Sequence, residues 1–389
     1  MKRLFLTIVG VFALGITASM ACTNFIVGKD ASADGSTIIS YAADSYSLYG
    51  FLHFSPAADY PKGAMREVKD WDSGRPLGQI PQVEHTYSVV GNMNEHQLTI
   101  GETTWGGRPE LSDTVGIDYG SLIYITLERC KTAREAIDCM TSLVEEFGYA
   151  SGGETFSIGD PNEVWIMDLI GKGPGQKGAV WVATRVPDDC ICAHANQARI
   201  TTINFKDKKN WRYSKDVVKF AREKGYFEGK DADFSFQAAY APFDFSALYV
   251  CEARVWSFFR HFSDDMEQYF DYATGKTFLE TGGKDAGKPM PLYIRPNRKV
   301  SVQEIKDCMR DQYEGTPLDI TQGTDAGPWN TKLRYGSLTF KLDSTAYWYE
   351  RPTATQQTAW SFVAQMRGYA DPKAGGIFWF GVDDAATNV

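Results

Sequence analysis

Between Glu154 and Ala198 the sequence runs through one strand-like segment after another. "ETFSIGDPNEVWIMDLI" reads as a hairpin turning at Asp160-Pro161-Asn162, and "GAVWVATRV" and "CICAHANQA" follow as further strands. Strands joined this closely pair as hairpins and leave no room for βαβ crossovers. Earlier, Thr23–Val27 alternates, Ser36–Ala42 is a second strand candidate, and Tyr87–Val90 and Gln97–Gly101 flank the turn "GNMNEH". Residues 52–82 hold several Pro and Gly and read as a long excursion. "GKGPGQKG" at 171–178 lies between two strands and lacks the Lys-Ser/Thr ending of a phosphate loop, so it reads as a flexible turn.

The period changes after Tyr119. Residues 119–129 suit a helix. Thr132-Ala133-Arg134-Glu135 has the form of a capping box, and Ala136, Ile137, Met140, Leu143, Val144 and Phe147 follow at helical spacing until Gly148. Further helices are expected at 213–224, 247–262 and 301–312. The late strands "GSLTFKLDS" and "GGIFWFGVD" are expected around a helix near 355–367. Strands, a helix pair, strands, helices and strands again suit a layered α+β fold with helices packed on stacked sheets. No internal repeat or low-complexity segment interrupts it.

The first 21 residues have a different logic. Lys2 and Arg3 precede an apolar run from Leu4 to Ala18, and Ser19 and Ala21 are small residues at −3 and −1 of a cut. That is the pattern of a secretory signal peptide over 1–21, with signal peptidase as the partner that removes it. The run is short of the roughly 20 apolar residues of a stable span. The mature chain, 22–389, is expected to be exported to the periplasm or the exterior. Its net charge moves from −9 to −11 once Lys2 and Arg3 leave, and no basic stripe points to nucleic acid.

Seven cysteines stand at 22, 130, 139, 190, 192, 251 and 308. An odd number leaves at least one thiol outside any intrachain pairing. Cys190-Ile191-Cys192 has the wrong spacing for zinc, and most of these thiols read as core residues. No Gly-x-Ser-x-Gly elbow and no His-Glu-x-x-His is present, and no metal or organic cofactor is called for. Of the five histidines only His194, two residues after Cys192, suggests a base for a cysteine. In an apolar strand it reads better as a hydrogen-bonded structural residue.

Cys22 needs no histidine. Cleavage after Ala21 would give it a free α-amine with a pKa of about 7.7–8.0 beside a thiol of about 8.5. One residue would then carry both nucleophile and base. Before cleavage that nitrogen is an amide and cannot act. A lipid-modified Cys22 on a binding module is the competing reading, which Ser19 at −3 disfavours.

The chain resembles the C69 dipeptidase family of the N-terminal nucleophile hydrolases. The matching stretches are "CTNFIVGKDASADGSTI" from Cys22, "GNMNEHQLTIGETTWGGRPEL" at 91–111, "YGSLIYITLERCKTAREAI" at 119–137, "PNEVWIMDLIGKG" at 161–173, "AHANQARI" at 193–200 and "ARVW" at 253–256. Cholylglycine hydrolases and penicillin V acylases share the general site. The resemblance implies a four-layer αββα sandwich with the nucleophile at the start of a central strand. It implies a cysteine-type dipeptidase, with an amidase of acylated amino acids or bile-acid conjugates as the alternative.

Residue by residue, Cys22 matches the nucleophile and Asp44 resembles the acid that bonds the N-terminal cysteine. Asn196 is similar to the oxyanion donor, Arg254 to the basic residue behind the nucleophile, and Thr103 to a second oxyanion donor. Two carboxylates near the site strands, Glu95 and Glu102, are candidates for the substrate amine, and the sequence does not choose between them. Tyr41 stands where many relatives carry Arg. The family pattern also leads one to expect sequence beyond "GVDDAATNV", so a short member or a fragment is expected.

Overall fold

The computed structural model describes residues 22–324 and 326–388. The proposed signal peptide, 1–21, lies outside the described residues. Nine strands and four helices position the site: β1 (Thr23–Val27), β2 (Thr37–Asp44), β3 (Thr99–Trp105), β4 (Gly153–Gly159), β5 (Val164–Gly171), β6 (Ala179–Val186), β7 (Ile191–His194), β8 (Thr358–Met366) and β9 (Gly376–Val382), with α1 (Tyr119–Leu127), α2 (Ala133–Phe147), α3 (Ala253–Arg260) and α4 (Val302–Met309).

The architecture is mixed α and β, built on two large antiparallel sheets. The first runs β7-β1-β2-β8-β9, with the two-residue strand Tyr293–Ile294 at the β7 edge. The second runs β6-β5-β4-β3. It is extended by Trp211–Tyr213 beside β6 and by three two-residue strands beyond β3. Ile26, Ile39 and Phe362 of the first sheet share one apolar cluster with Val164, Ile166 and Val182 of the second. Ile100, Phe156 and Met167 on the second sheet's other face pack with Leu122, Ile137 and Met140 of α1 and α2. Phe25, Ile38 and Ala193 on the first sheet's other face pack with Val255, Phe259 and Ile305 of α3 and α4. The strict period-2 alternation of β1 and β2 thus divides their side chains between two cores.

Sequence logic accounts for most of these elements. The turn at 160–163 closes the β4–β5 hairpin, with Asp160 Oδ1 accepting from Asn162 N at 2.7 Å and Glu163 N at 3.1 Å. The glycine-rich stretch 171–178 is the link from β5 to β6. Thr132 caps α2, its hydroxyl accepting from Glu135 N at 3.3 Å. The expected box is not reciprocal, because the Glu135 carboxylate accepts from Lys131 N at 2.8 Å. Gly148 ends α2 at φ 90°, a conformation that favours glycine. The expected helix over 247–262 begins as a wide π-type turn, Ala247–Glu252, and becomes regular only in α3.

A second expectation is overturned, this one for a whole element. The segment near 355–367 is not a helix; its residues Thr358–Met366 form β8. β8 pairs with β2 along one side and β9 along the other, so ladder bonds and burial on both faces outweigh its Ala and Gln content. The other late strand pair, Thr339–Leu342 with Thr345–Trp348, is an exposed hairpin apart from both large sheets.

Candidate active site

Cys22 immediately precedes β1, one of the two central strands of its sheet, and is fully buried. Its carbonyl oxygen accepts from Arg254 Nη1 at 2.6 Å. The same guanidinium donates to Thr23 Oγ1 at 2.8 Å, Ala195 O at 3.2 Å, Asn196 Oδ1 at 3.0 Å and Val250 O at 2.8 Å. Arg254 therefore ties α3 to both the start of β1 and the loop after β7. Its planar five-donor fork suits this task in a way a lysine could not match.

The Cys22 thiol meets two groups. Tyr41 Oη lies 3.6 Å from Sγ, and Glu102 Oε1 lies 3.8 Å away. Tyr41 also donates to Glu102 Oε1, which closes a triangle. Burial pushes the thiol well above its ordinary pKa, and the Glu102 and Asp44 charges push the same way. The Tyr41 hydroxyl and the Asp44 backbone N–H oppose them by favouring the thiolate.

Asp44 closes β2 beside this triangle. Its carboxylate forms an ion pair with Arg351, both side chains fully buried, and accepts from Thr358 Oγ1 at 2.6 Å. Thr358 is the register partner of Asp44 across the β2–β8 ladder, which explains the contact. Burial still raises the carboxyl, against Arg351, Thr358 and the more distant Arg254.

Asn196 sits in the turn after β7 with φ 61°, a left-handed conformation that asparagine tolerates better than most residues. Its carboxamide is fixed at both ends, Nδ2 donating to Thr104 O at 2.6 Å and Oδ1 accepting from Arg254. This bridges the β7 loop to β3 of the opposite sheet.

Arg254 thus joins Cys22 and Asn196 by hydrogen bonds, while Asp44 acts on the Cys22 thiol through its charge and backbone N–H and spends its carboxylate on Arg351 and Thr358. Thr103 is placed differently: its hydroxyl bonds His194 Nδ1 at 2.7 Å, between the sheets, and is not turned to the thiol. His194 bonds Ser157 Oγ through Nε2 at 2.6 Å, and burial and Arg199 hold its pKa well below the usual value. It is a neutral cross-sheet bridge, as its place in an apolar strand suggests. Of the two candidate glutamates, Glu95 caps the backbone of Ser88 at 3.0 Å, whereas Glu102 lies against Cys22.

Three contributors were not legible as such. Thr358 comes from the segment expected to be helical and Arg351 from the stretch just before it, and no periodicity marks either. Tyr41 was visible only as a replacement for the family Arg; the structure shows a hydroxyl bridging Cys22 and Glu102.

An open cavity of about 310 Å³ approaches this place, lined by His53, Trp71, Asp72, Tyr124, Trp360 and Phe380 among others. A narrow inner recess, with room of about 10 Å³, continues to Tyr41, Glu102 and Tyr119. Trp71 and Tyr124 stack at 4.4 Å between ring centres, and Trp360 meets Tyr41 edge-on at 4.9 Å. The recess thus ends at Tyr41 and Glu102, the two side chains that contact the thiol. Among the described residues no helix is long and apolar enough to cross a membrane.

Cys22 thus stands at the head of a central strand, its carbonyl held by an arginine that also holds Asn196, with an aromatic cavity close by. The family model described as peptidase family C69 matches residues 21–55 and 48–389, and the chain belongs to that family. It is 25% identical over 333 residues to a protein named "Probable dipeptidase" from Salmonella dublin, covering 79% of this chain and 70% of that one. A "Probable dipeptidase" from Latilactobacillus sakei is 24% identical over 381 residues, 93% of this chain and 71% of that protein. A "Dipeptidase" from Bifidobacterium longum is 28% identical over 341 residues, 77% and 60% of the two lengths.

Proposed function

We propose that this C69 peptidase is an exported cysteine-type dipeptidase whose working chain begins at Cys22, built as a four-layer αββα N-terminal nucleophile hydrolase. The dipeptidase names of its relatives support the substrate class. The observation that carries the reading is the placement of Cys22: immediately before a central strand, its carbonyl held by Arg254, its thiol against Tyr41 and Glu102, which line the inner recess of an aromatic cleft.

Signal peptidase would cut after Ala21 and expose the α-amine. Burial and two nearby carboxylates hold the thiol protonated, so an internal base on the same residue meets a specific need. The amine takes the thiol proton as Sγ attacks the peptide carbonyl carbon. The resulting tetrahedral oxyanion is received by the Asn196 carboxamide and a backbone N–H. The protonated amine then gives its proton to the leaving amino group, and the C–N bond breaks to leave a thioester on Cys22. Water, with the amine again as base, releases the first residue and restores the thiol. Arg254 and Asp44 hold the two ends of the Cys22 environment through this cycle.

The test is Cys22→Ala assayed on a dipeptide panel. Loss of hydrolysis in a folded variant is expected; hydrolysis at the wild-type rate contradicts the assignment.

A further inference from the structure

Glu102 is not alone. The β3–β4 register sets Glu154 opposite Thr104, on the same face as Glu102 and diagonal to it. Both glutamates are buried, with exposures of 1% and 0%. Thr104 Oγ1 donates to Glu154 Oε1 at 2.8 Å, and Tyr41 occupies Glu102 Oε1. The second oxygen of each, Glu102 Oε2 and Glu154 Oε2, meets no donor. Among the described residues neither glutamate makes an ion pair. The groups acting most strongly on Glu102 are Tyr41, Glu154, Asp72 and Cys22, and none of them is a cation. Asp44, by contrast, has Arg351.

Two uncompensated buried carboxyls are costly unless they share a proton or receive a cation. Burial raises both glutamates; the Glu102 charge raises Glu154 further, whereas a hydrogen bond from Glu154 acts the other way on Glu102, whose pKa stands at about 7, so Glu154 is the member that keeps a proton and Glu102 the one that carries the charge. That single charge faces the recess at the end of the aromatic cavity, beside the thiol.

We propose that Glu102, backed by Glu154, binds the free α-ammonium of the substrate's N-terminal residue, so that the site selects unblocked dipeptides. This rests on the reading of Cys22 as nucleophile. The distances agree. In an amino acid the amine nitrogen lies about 2.5 Å from its own carbonyl carbon. A carbon about 3.2 Å from Sγ, with its ammonium about 2.8 Å from Glu102, closes easily over a Glu102-to-Sγ separation of 3.8 Å. The ammonium then supplies the cation that the pair lacks. The leaving residue extends outward into the cavity bounded by Trp71, Tyr124 and Trp360. An N-acylated substrate would put a neutral amide, with fewer donors and more bulk, into a recess with room of only about 10 Å³.

The test uses the mature chain with a dipeptide and its N-acetyl counterpart, then Glu102→Gln and Glu154→Gln on both. Wild type is expected to favour the free dipeptide by at least about 100-fold in kcat/KM. Each variant is expected to lose most of that preference, chiefly through a higher KM for the free dipeptide. Alkylation of Cys22 by neutral iodoacetamide checks the nucleophile separately and should be retained or faster in Glu102→Gln. Equal wild-type rates on the two substrates overturn the proposal without any variant. Equal losses on both substrates also overturn it, since they would tie Glu102 to the amine of Cys22 instead. Undiminished hydrolysis by Cys22→Ala removes the nucleophile reading itself, a result independent of the substrate preference.

Discussion

Arg254 Nη1 donates to the carbonyl oxygen of Cys22 at 2.6 Å, joining residues 232 positions apart in the sequence. That bond fixes the first peptide unit of β1 from below while the thiol faces the opposite way, toward Tyr41 and Glu102. In the mature chain proposed above, Cys22 would lack the covalent restraint that interior residues have on both sides. The buried guanidinium would then supply a non-covalent one through the Cys22 carbonyl. Replacing Arg254 by Met strips the donors from five oxygens at once, four of them outside its own helical turn. Urea unfolding is expected to show a loss of about 3–5 kcal/mol, and Arg254→Lys should recover only part of it, because a point charge cannot span those acceptors.

The Asp44–Arg351 pair is fully desolvated. Asp44→Asn leaves Arg351 buried without its counter-charge and is expected to destabilise the fold by about 3–5 kcal/mol. Arg351→Met in the same chain should restore much of that loss. A double-mutant cycle by urea unfolding is expected to give a coupling above about 1 kcal/mol; additive losses would show that the two side chains act independently.

Asn196 is expected to serve the transition state more than substrate binding. Asn196→Ala should lower kcat by about 10²–10³-fold with a much smaller change in KM. Steady-state kinetics on one good dipeptide separate the two parameters.

The Cys22 thiol is raised by burial and then by the Glu102 charge, with Asp44 adding to it. A negative charge disfavours the thiolate, so Glu102→Gln must move thiol ionisation to lower pH. The pH profile of iodoacetamide alkylation is expected to shift downward in that variant relative to wild type. An upward shift would contradict the contact.

The glutamate pair also predicts a pH dependence of stability. Both carboxyls are raised above their unfolded values by burial, Glu154 also by the Glu102 charge, with Asp72 adding to both. The folded chain then binds more protons than the unfolded chain above about pH 4.5, so their contribution to stability falls as pH rises through that window. Glu154→Gln is expected to melt higher than wild type near pH 7.5 and at a similar temperature near pH 4. Each unit of pKa elevation removed corresponds to about 1.4 kcal/mol. Thermal melts across that range check the sign.

The sequence revealed the architecture where local signals and tertiary demands agree. The Asp160-Pro161-Asn162 turn, the Thr132 cap and the Gly148 stop each carry their own chemistry, and β4, β5, β6 and α2 follow from them. The Ala and Gln residues of β8 suit a helix in isolation, which is why the sequence alone points to one there. Only pairing between β2 and β9 makes a strand of it, and neither partner is near in sequence. The site divides in the same way. Cys22, Asn196 and Arg254 stand in recognisable stretches. Glu102 and Glu154 are brought together by strand register, and Arg351 reaches Asp44 across 307 residues; no spacing rule could announce either pairing. Thr103 shows the converse, since a residue in a matching stretch spends its hydroxyl on His194.

The central claim is that Cys22 carries its own base, which exists only when the bond before it is cut. The most direct measurement compares dipeptide hydrolysis by a chain whose first residue is Cys22 with the same chain bearing one additional Gly before it, both confirmed by intact mass. The Cys22-initiated chain is expected to be active and the extended chain slower by at least about 100-fold. Equal rates from the two chains would contradict it.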